Sequence, residues 1–123
     1  MTKLLYEELS FNIRDALYQV HRLLGPGFRE ETYKRAAISE LIRRQLRVER
    51  EKPIDIYYLG EKIDTYRLDL VVEEKIVVEL KSVEQLHPVH EAQLLSYLNA
   101  SGLRIGLLVN MGSERLQIVR KIK

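Results

Sequence analysis

Asp69, Glu79 and Lys81 are the residues of this chain best placed to do chemistry. They lie within the stretch R-L-D-L-V-V-E-E-K-I-V-V-E-L-K from Arg67 to Lys81, which reads as two short strands joined by a tight acidic turn. Alternation puts Arg67, Asp69 and Val71 on one face of the first strand, and Val77, Glu79 and Lys81 on one face of the second. Ile76, Val78 and Leu80 form the opposite, apolar face. A Glu-x-Lys pair thus interrupts a strand that is otherwise built for burial, and buried charge is costly unless it is paired or binds an ion. Register decides whether the two carboxylates meet. A two-residue turn at Glu73-Glu74 pairs Asp69 with Val78 and puts Asp69 and Glu79 on opposite faces. A three-residue loop, or one bulge, pairs Asp69 directly with Glu79, with Cβ atoms roughly 4.5–5.5 Å apart. Carboxylates that close repel unless a cation lies between them, and all-oxygen ligands select a hard ion such as Mg²⁺ or Mn²⁺. Lys81 would face the same ion and hold a water or a phosphate oxygen. The plainer reading is a surface strand carrying an ordinary Glu-Lys pair.

Three other groups bear on that choice. Glu30 and Tyr33 are three apart at a helix start, just after Gly27, and share a face. The helix N-terminus favours an ionised Glu30, although Glu30 would also simply complement the dipole and Tyr33 would also serve as core. His90, Gln93 and Tyr97 share a face of a later helix, which otherwise reads as a polar flank. That helix follows directly from the Glu-x-Lys strand and can pack near it. Arg29 and Arg67 are candidate phosphate contacts, with solvated surface arginines as the alternative. The expectation is that Glu30 with Tyr33, and Gln93 with Tyr97, converge on the pocket of Asp69.

The elements that must position these side chains follow from periodicity. Ile13, Leu17, Val20 and Leu24 predict a helix over about 8–24, ended by Gly25-Pro26-Gly27. Ala37, Ile38, Leu41, Ile42 and Leu46 are the inner stripe of a second helix over about 30–46. Pro53 introduces a strand, Gly60-Glu61 marks a turn, and a strand over about 62–72 leads into the strand ending at Lys81. A third helix runs over about 88–100, with Pro88 in its first turn and Gly102 beyond its end. Leu103–Val109 reads as a central strand, Met111-Gly112-Ser113 as a turn, and Leu116–Ile122 as a last strand. The order ααβββαββ permits a parallel crossover through the third helix, and predicts an α/β fold with a mixed sheet and helices on both faces.

With 123 residues, 46% hydrophobic and 31% charged, the chain has the make-up of one soluble domain spanning 1–123. No cysteine is present, which removes disulfides and thiolate metal sites and fits a reducing cytoplasm. The segment M-T-K-L-L-Y-E-E lacks the apolar core of a signal peptide, and no apolar run is long enough to span a membrane. A net charge of +2 does not by itself demand a nucleic-acid partner. Local basic clusters at Arg43, Arg44 and Arg47, and at Arg115, Arg120, Lys121 and Lys123, would have to supply that contact.

Taken together these residues resemble a known family. Gly27, Glu30 and Tyr33 match the signature of the small GxxExxY proteins of bacteria and archaea. Asp69 with Glu79-Leu80-Lys81 looks like the motif of the PD-(D/E)xK nucleases, of which that family is a branch, and Gln93-x-x-x-Tyr97 is similar to the QxxxY motif of its RecB-like members. Leu68 stands where the superfamily name has proline. The resemblance implies a restriction-endonuclease-like fold and a Mg²⁺-dependent (or Mn²⁺-dependent) deoxyribonuclease that hydrolyses phosphodiester bonds. Asp69, Glu79 and the Leu80 carbonyl would hold the ion, with Glu30 as a further carboxylate. Lys81 would orient the attacking water, and Gln93 and Tyr97 would position a phosphate or brace Lys81. Gly27, Tyr33 and His90 would support the site. DNA is the expected partner, with a homodimer or larger protein partner to supply recognition. Two other classes compete: a non-catalytic nucleic-acid- or partner-binding module that keeps the fold, and a structural subunit that dimerises through a sheet edge.

Overall fold

The computed structural model describes residues 6–123. The leader reading rests largely on residues 1–5, which lie outside that range. Helix α1 spans Glu7–Leu24 and α2 spans Glu30–Arg43. Strands β1 (Val48–Tyr58), β2 (Glu61–Val72) and β3 (Ile76–Lys81) follow, then α3 (Pro88–Ser101), β4 (Ile105–Asn110) and β5 (Gln117–Ile122). The five strands form one sheet in the order β1-β2-β3-β4-β5. Neighbours are antiparallel except β3 and β4, which pair in parallel across the α3 crossover. This is the α/β mixed sheet expected from the order of elements, and it fits the restriction-endonuclease-like fold that the resemblance implies.

Helices cover both faces. Leu70, Val72, Ile76, Val78 and Leu80 join Ile105, Leu107 and Val109 under α1 and α2, against Ile13, Leu17, Tyr33, Ala37 and Leu41. On the other face Leu68, Val71, Val77 and Leu108 meet Ile54 and the α3 residues Leu94 and Leu98. β4 is buried throughout, and in its neighbour β3 Ile76 through Leu80 are all buried, Glu79 included. α3 lies so close to β4 that a Cβ on Gly106 would stand 2.7 Å from a Leu94 methyl.

Three boundaries differ from the sequence reading for clear reasons. α2 stops at Arg43, because Gln45 takes a left-handed φ of 64° and turns the chain. β1 begins at Val48, so Pro53 sits inside the strand rather than at its start. That is tolerated because β1 is an edge strand and one of its sides needs no ladder donors. The β1–β2 turn is Leu59-Gly60, both at positive φ, rather than Gly60-Glu61. β1 is irregular in two further places: Glu51 has φ 54°, and the register shifts between Ile56 and Tyr57.

Candidate metal centre

The β2–β3 connection is the three-residue loop Glu73-Glu74-Lys75, with Val72 paired to Ile76. Leu70 therefore pairs with Val78, and one step on Asp69 lies across from Glu79. The backbone ladder lapses at that step although both strands continue. Side chains take its place: the Asp69 N–H donates to Glu79 Oε1 at 3.1 Å, and the Leu80 N–H donates to Asp69 Oδ2 at 3.0 Å. The β1–β2 ladder is interrupted at the same level, between the pairs Arg50–Leu70 and Lys52–Leu68. Asp69 thus occupies a gap in the ladders on both of its sides, which gives its carboxylate room within the plane of the sheet.

Two charged neighbours set the electrostatics. Glu79 is only 5% exposed. Burial, and then the charge of Asp69, push its carboxyl up to about 8, against the opposing pull of the Asp69 N–H and of Lys81. Such a group favours either a proton or a cation. Lys81 Nζ lies 3.3 Å from Gln93 Oε1, which anchors the lysine to α3. Tyr97, one turn further along α3, is half-buried and packs edge-on against Tyr66. Burial raises the pKa of its phenol, and the charges of Glu79 and Asp69 raise it further.

The other expected residues are placed differently. Glu30 is exposed and lines an adjoining cleft with Arg29, Ser82, Val83 and Gly112. No hydrogen bond or ion pair joins it to Asp69 or Glu79 among the described residues. Tyr33 does not converge on the carboxylates either. It is fully buried, donates to the Gly25 carbonyl at 2.5 Å and accepts from the Phe28 N–H, so it braces the α1–α2 loop. Gly27 in that loop has φ 114° with open space around it, so its conformation rather than crowding calls for glycine. His90 turns back to the start of α3, where its Nδ1 accepts from the His87 N–H. Arg67 is exposed, and its guanidinium reaches the Glu51 carbonyl at 3.5 Å.

Several residues escaped the sequence reading. Lys34 is buried, and its ammonium lies 3.0 Å from Asp69 Oδ1 and 2.9 Å from Glu51 Oε1. Burial pulls the lysine down, but the two carboxylates outweigh it and hold it above its ordinary value. Its signal was available: Lys34 falls three and seven residues before Ala37 and Leu41, on the apolar stripe of α2, where a solvated lysine has no place. Glu51 gave none, because its direction depends on a left-handed φ. Asn110, fully buried opposite Lys81, bonds both the N–H and the carbonyl of Val83 and so fixes the chain leaving β3. Gly112 closes the same corner; a Cβ there would stand 2.5 Å from the Val83 nitrogen. Ser82 Oγ donates to the Phe28 carbonyl at 2.6 Å and ties the α1–α2 loop to the end of β3.

The donor set suits a hard cation with few protein ligands. Among the described residues no group of three or more His, Cys, Asp or Glu is placed to hold a metal ion. What β2 and β3 offer is two facing carboxylates and the Leu80 carbonyl, which points to the same side of its strand as the N–H bonded to Asp69. Mg²⁺ commonly takes one or two carboxylates and leaves its other positions to water or substrate oxygens. The observation that fits such an ion is geometric: a nearly buried carboxylate faces a second one, and a cation between them would offset both the burial and the like charge.

No curated protein matches the chain significantly. Among solved structures, the crystal structure of SSO0001 superposes with a TM-score of 0.60 at 21% identity, covering 96% of this chain and 59% of the other. That likeness extends to the fold alone, and the chain spans well under two thirds of its neighbour's length. No helix among the described residues is long and apolar enough to cross a membrane. Residues 7–122 match the profile of the PD-(D/E)XK nuclease superfamily. With nearly the whole chain inside that match, and with the mixed sheet the sequence order requires, the protein belongs to the PD-(D/E)XK nuclease superfamily, whose members are generally dependent on divalent metals and act on nucleic acid.

Proposed function

We propose that this protein is a Mg²⁺- or Mn²⁺-dependent nuclease of the GxxExxY branch that hydrolyses DNA phosphodiester bonds. Residues 1–123 would form one catalytic domain, acting in the cytoplasm and recruited to DNA by a second copy or another protein. The observation that carries it is the direct opposition of Asp69 and Glu79 across a lapsed ladder, with Lys81 on the next turn of the pleat. Asp69, Glu79 and the Leu80 carbonyl would hold the ion, which when bound supplies Lewis-acid polarisation of the phosphate and a more acidic water. Lys81 would orient the attacking water and offset negative charge that develops on the phosphate. Gln93 holds the Lys81 ammonium toward α3 and so sets where that charge sits. Tyr97 and Tyr66 would wall the site and exclude bulk water. Glu30, Arg29 and Ser82 border the adjoining cleft, where a neighbouring phosphate of the substrate would lie.

A non-catalytic nucleic-acid- or partner-binding module is the second reading, and one observation favours it: Asp69 is already ion-paired to Lys34. Cleavage assays separate the two. The purified protein should cut DNA in Mg²⁺ or Mn²⁺ and stop in EDTA, and Asp69→Asn, which keeps shape and removes charge, should be inactive while folded. Asp69→Asn cutting as fast as wild type would refute the nuclease assignment.

A further inference from the structure

Lys34 is a permanent cation set between two carboxylates. Its side chain is 11% exposed, and its ammonium meets Asp69 Oδ1 at 3.0 Å and Glu51 Oε1 at 2.9 Å. The Glu51 contact has the usual length of a charge-assisted hydrogen bond, and the Asp69 contact is slightly longer. Glu51 reaches this place only because its backbone adopts φ 54° inside β1, opposite the gap at Asp69. Three elements, α2, β1 and β2, are thus bent to one ammonium.

The two oxygens of Asp69 point to different neighbours. Oδ2 accepts from the Leu80 N–H, on the side of Glu79, and Oδ1 accepts from Lys34, on the side of Glu51. In two-ion phosphodiesterases the ions lie about 3.5–4 Å apart, and a carboxylate whose two oxygens face opposite sides can reach both, with one further carboxylate enough to hold a hard ion. Asp69 joins the two sides: its N–H donates to Glu79 Oε1, and its Oδ1 is paired with Lys34. Glu51 is the remaining carboxylate of that network. The position a second ion would take, on Asp69 Oδ1 with Glu51 as its own ligand, is filled by the ammonium. A lysine ammonium donates hydrogen bonds and coordinates nothing, and a divalent ion beside it would meet like-charge repulsion, although Glu51 itself is partly exposed.

We propose that Lys34 stands in for a second divalent cation, so that the Asp69–Glu79 centre takes one metal ion and not two. This rests on the metal-centre reading of Asp69 and Glu79, and it adds a positioning residue from outside the nuclease motif. Lys34 holds Asp69 Oδ1 and neutralises Glu51, which leaves the Glu79 side of Asp69 for the ion.

The test is a count of Mn²⁺ by titration calorimetry to millimolar concentration, with electron paramagnetic resonance to detect coupled ion pairs. Wild type should bind one Mn²⁺ per chain, lost in Asp69→Asn. Lys34→Met should bind two, with a coupled-pair signal, and Lys34→Met combined with Glu51→Gln should return to one. Lys34→Gln keeps donors near both carboxylates while removing the charge. It should also gain the second ion, and it serves if Lys34→Met does not fold. Lys34→Arg should stay at one. Two ions in wild type, or one ion of unchanged affinity in folded Lys34→Met or Lys34→Gln, would overturn the proposal while leaving the metal centre intact. A wild type that binds no Mn²⁺ would instead overturn the metal centre itself, and this inference with it.

Discussion

The two faces of the sheet are built unequally. Among the described residues, sixteen buried ones cluster with α1 and α2, while seven cluster with α3. At roughly 25 cal/mol per Å² of apolar surface removed from water, the first face contributes most of the hydrophobic stabilisation. The second is thin enough for polar groups to reach the strands: Glu79, Gln93 and Tyr97 all belong to it. The outer half of β2, Glu61 to Arg67, is exposed throughout, whereas Leu68 to Val72 is largely buried. Stability and chemistry are therefore separable here, and mutations should sort by face.

The largest effects should come from the charged end of the sheet. Glu79→Ala and Lys81→Ala should each lower the cleavage rate by on the order of 10³-fold, and combining them should cost little more, because they act as one unit. Above pH 8, where Glu79 ionises beside Asp69, the melting temperature of Glu79→Ala should hold steady or rise, since the deletion removes that buried like-charge contact. A rate loss that merely tracked unfolding would erase the distinction between the faces.

On the thick face, Leu17→Ala should destabilise by about 2–5 kcal/mol in chemical denaturation, because a fully buried side chain leaves a cavity. Cleavage per folded molecule should be unchanged.

Acidity sharpens the comparison through a single group. Glu79 binds a proton more tightly folded than unfolded, so its stabilising contribution is complete below about 4.5 and is lost as pH rises through about 8. Metal-free protein should thus lose stability across that range, and Glu79→Gln should flatten the slope. Millimolar Mg²⁺ should raise the melting temperature more at pH 8 than at pH 5.5, by mass action on the folded state. Equal shifts at both values would mean that the ion does not contact Glu79.

Smaller effects test the packing of α3. Gly106→Ala pushes a methyl into Leu94 and should cost about 1–3 kcal/mol, with part of the loss restored by Leu94→Ala. Gln93→Ala frees Lys81 without removing it and should slow cleavage about tenfold, the low end for a residue that orients a site group.

Much of this arrangement was legible in the sequence. Helical stripes and strand alternation gave the order of elements, and the choice between two registers narrowed the carboxylates to a single question about loop length. What periodicity could not give was direction at irregular backbone. Tyr33 matched a spacing yet turned to the α1–α2 loop, because a buried phenol must find its own hydrogen-bond partners. His90 was claimed by its helix cap for the same kind of reason. Lys34 was visible as a charge on an apolar stripe, but its partner Glu51 depends on a positive φ that no residue pattern announces.

The irregularities of β1 have a consequence for behaviour at high concentration. An edge strand presents unpaired backbone groups, and a long regular edge invites other chains to add to it as amyloid precursors do. β1 offers no such run. Pro53 lacks an N–H, the left-handed Glu51 interrupts the chain before it, and the register shift at Ile56–Tyr57 interrupts it after. The bend that brings Glu51 to Lys34 also keeps this edge from templating aggregation.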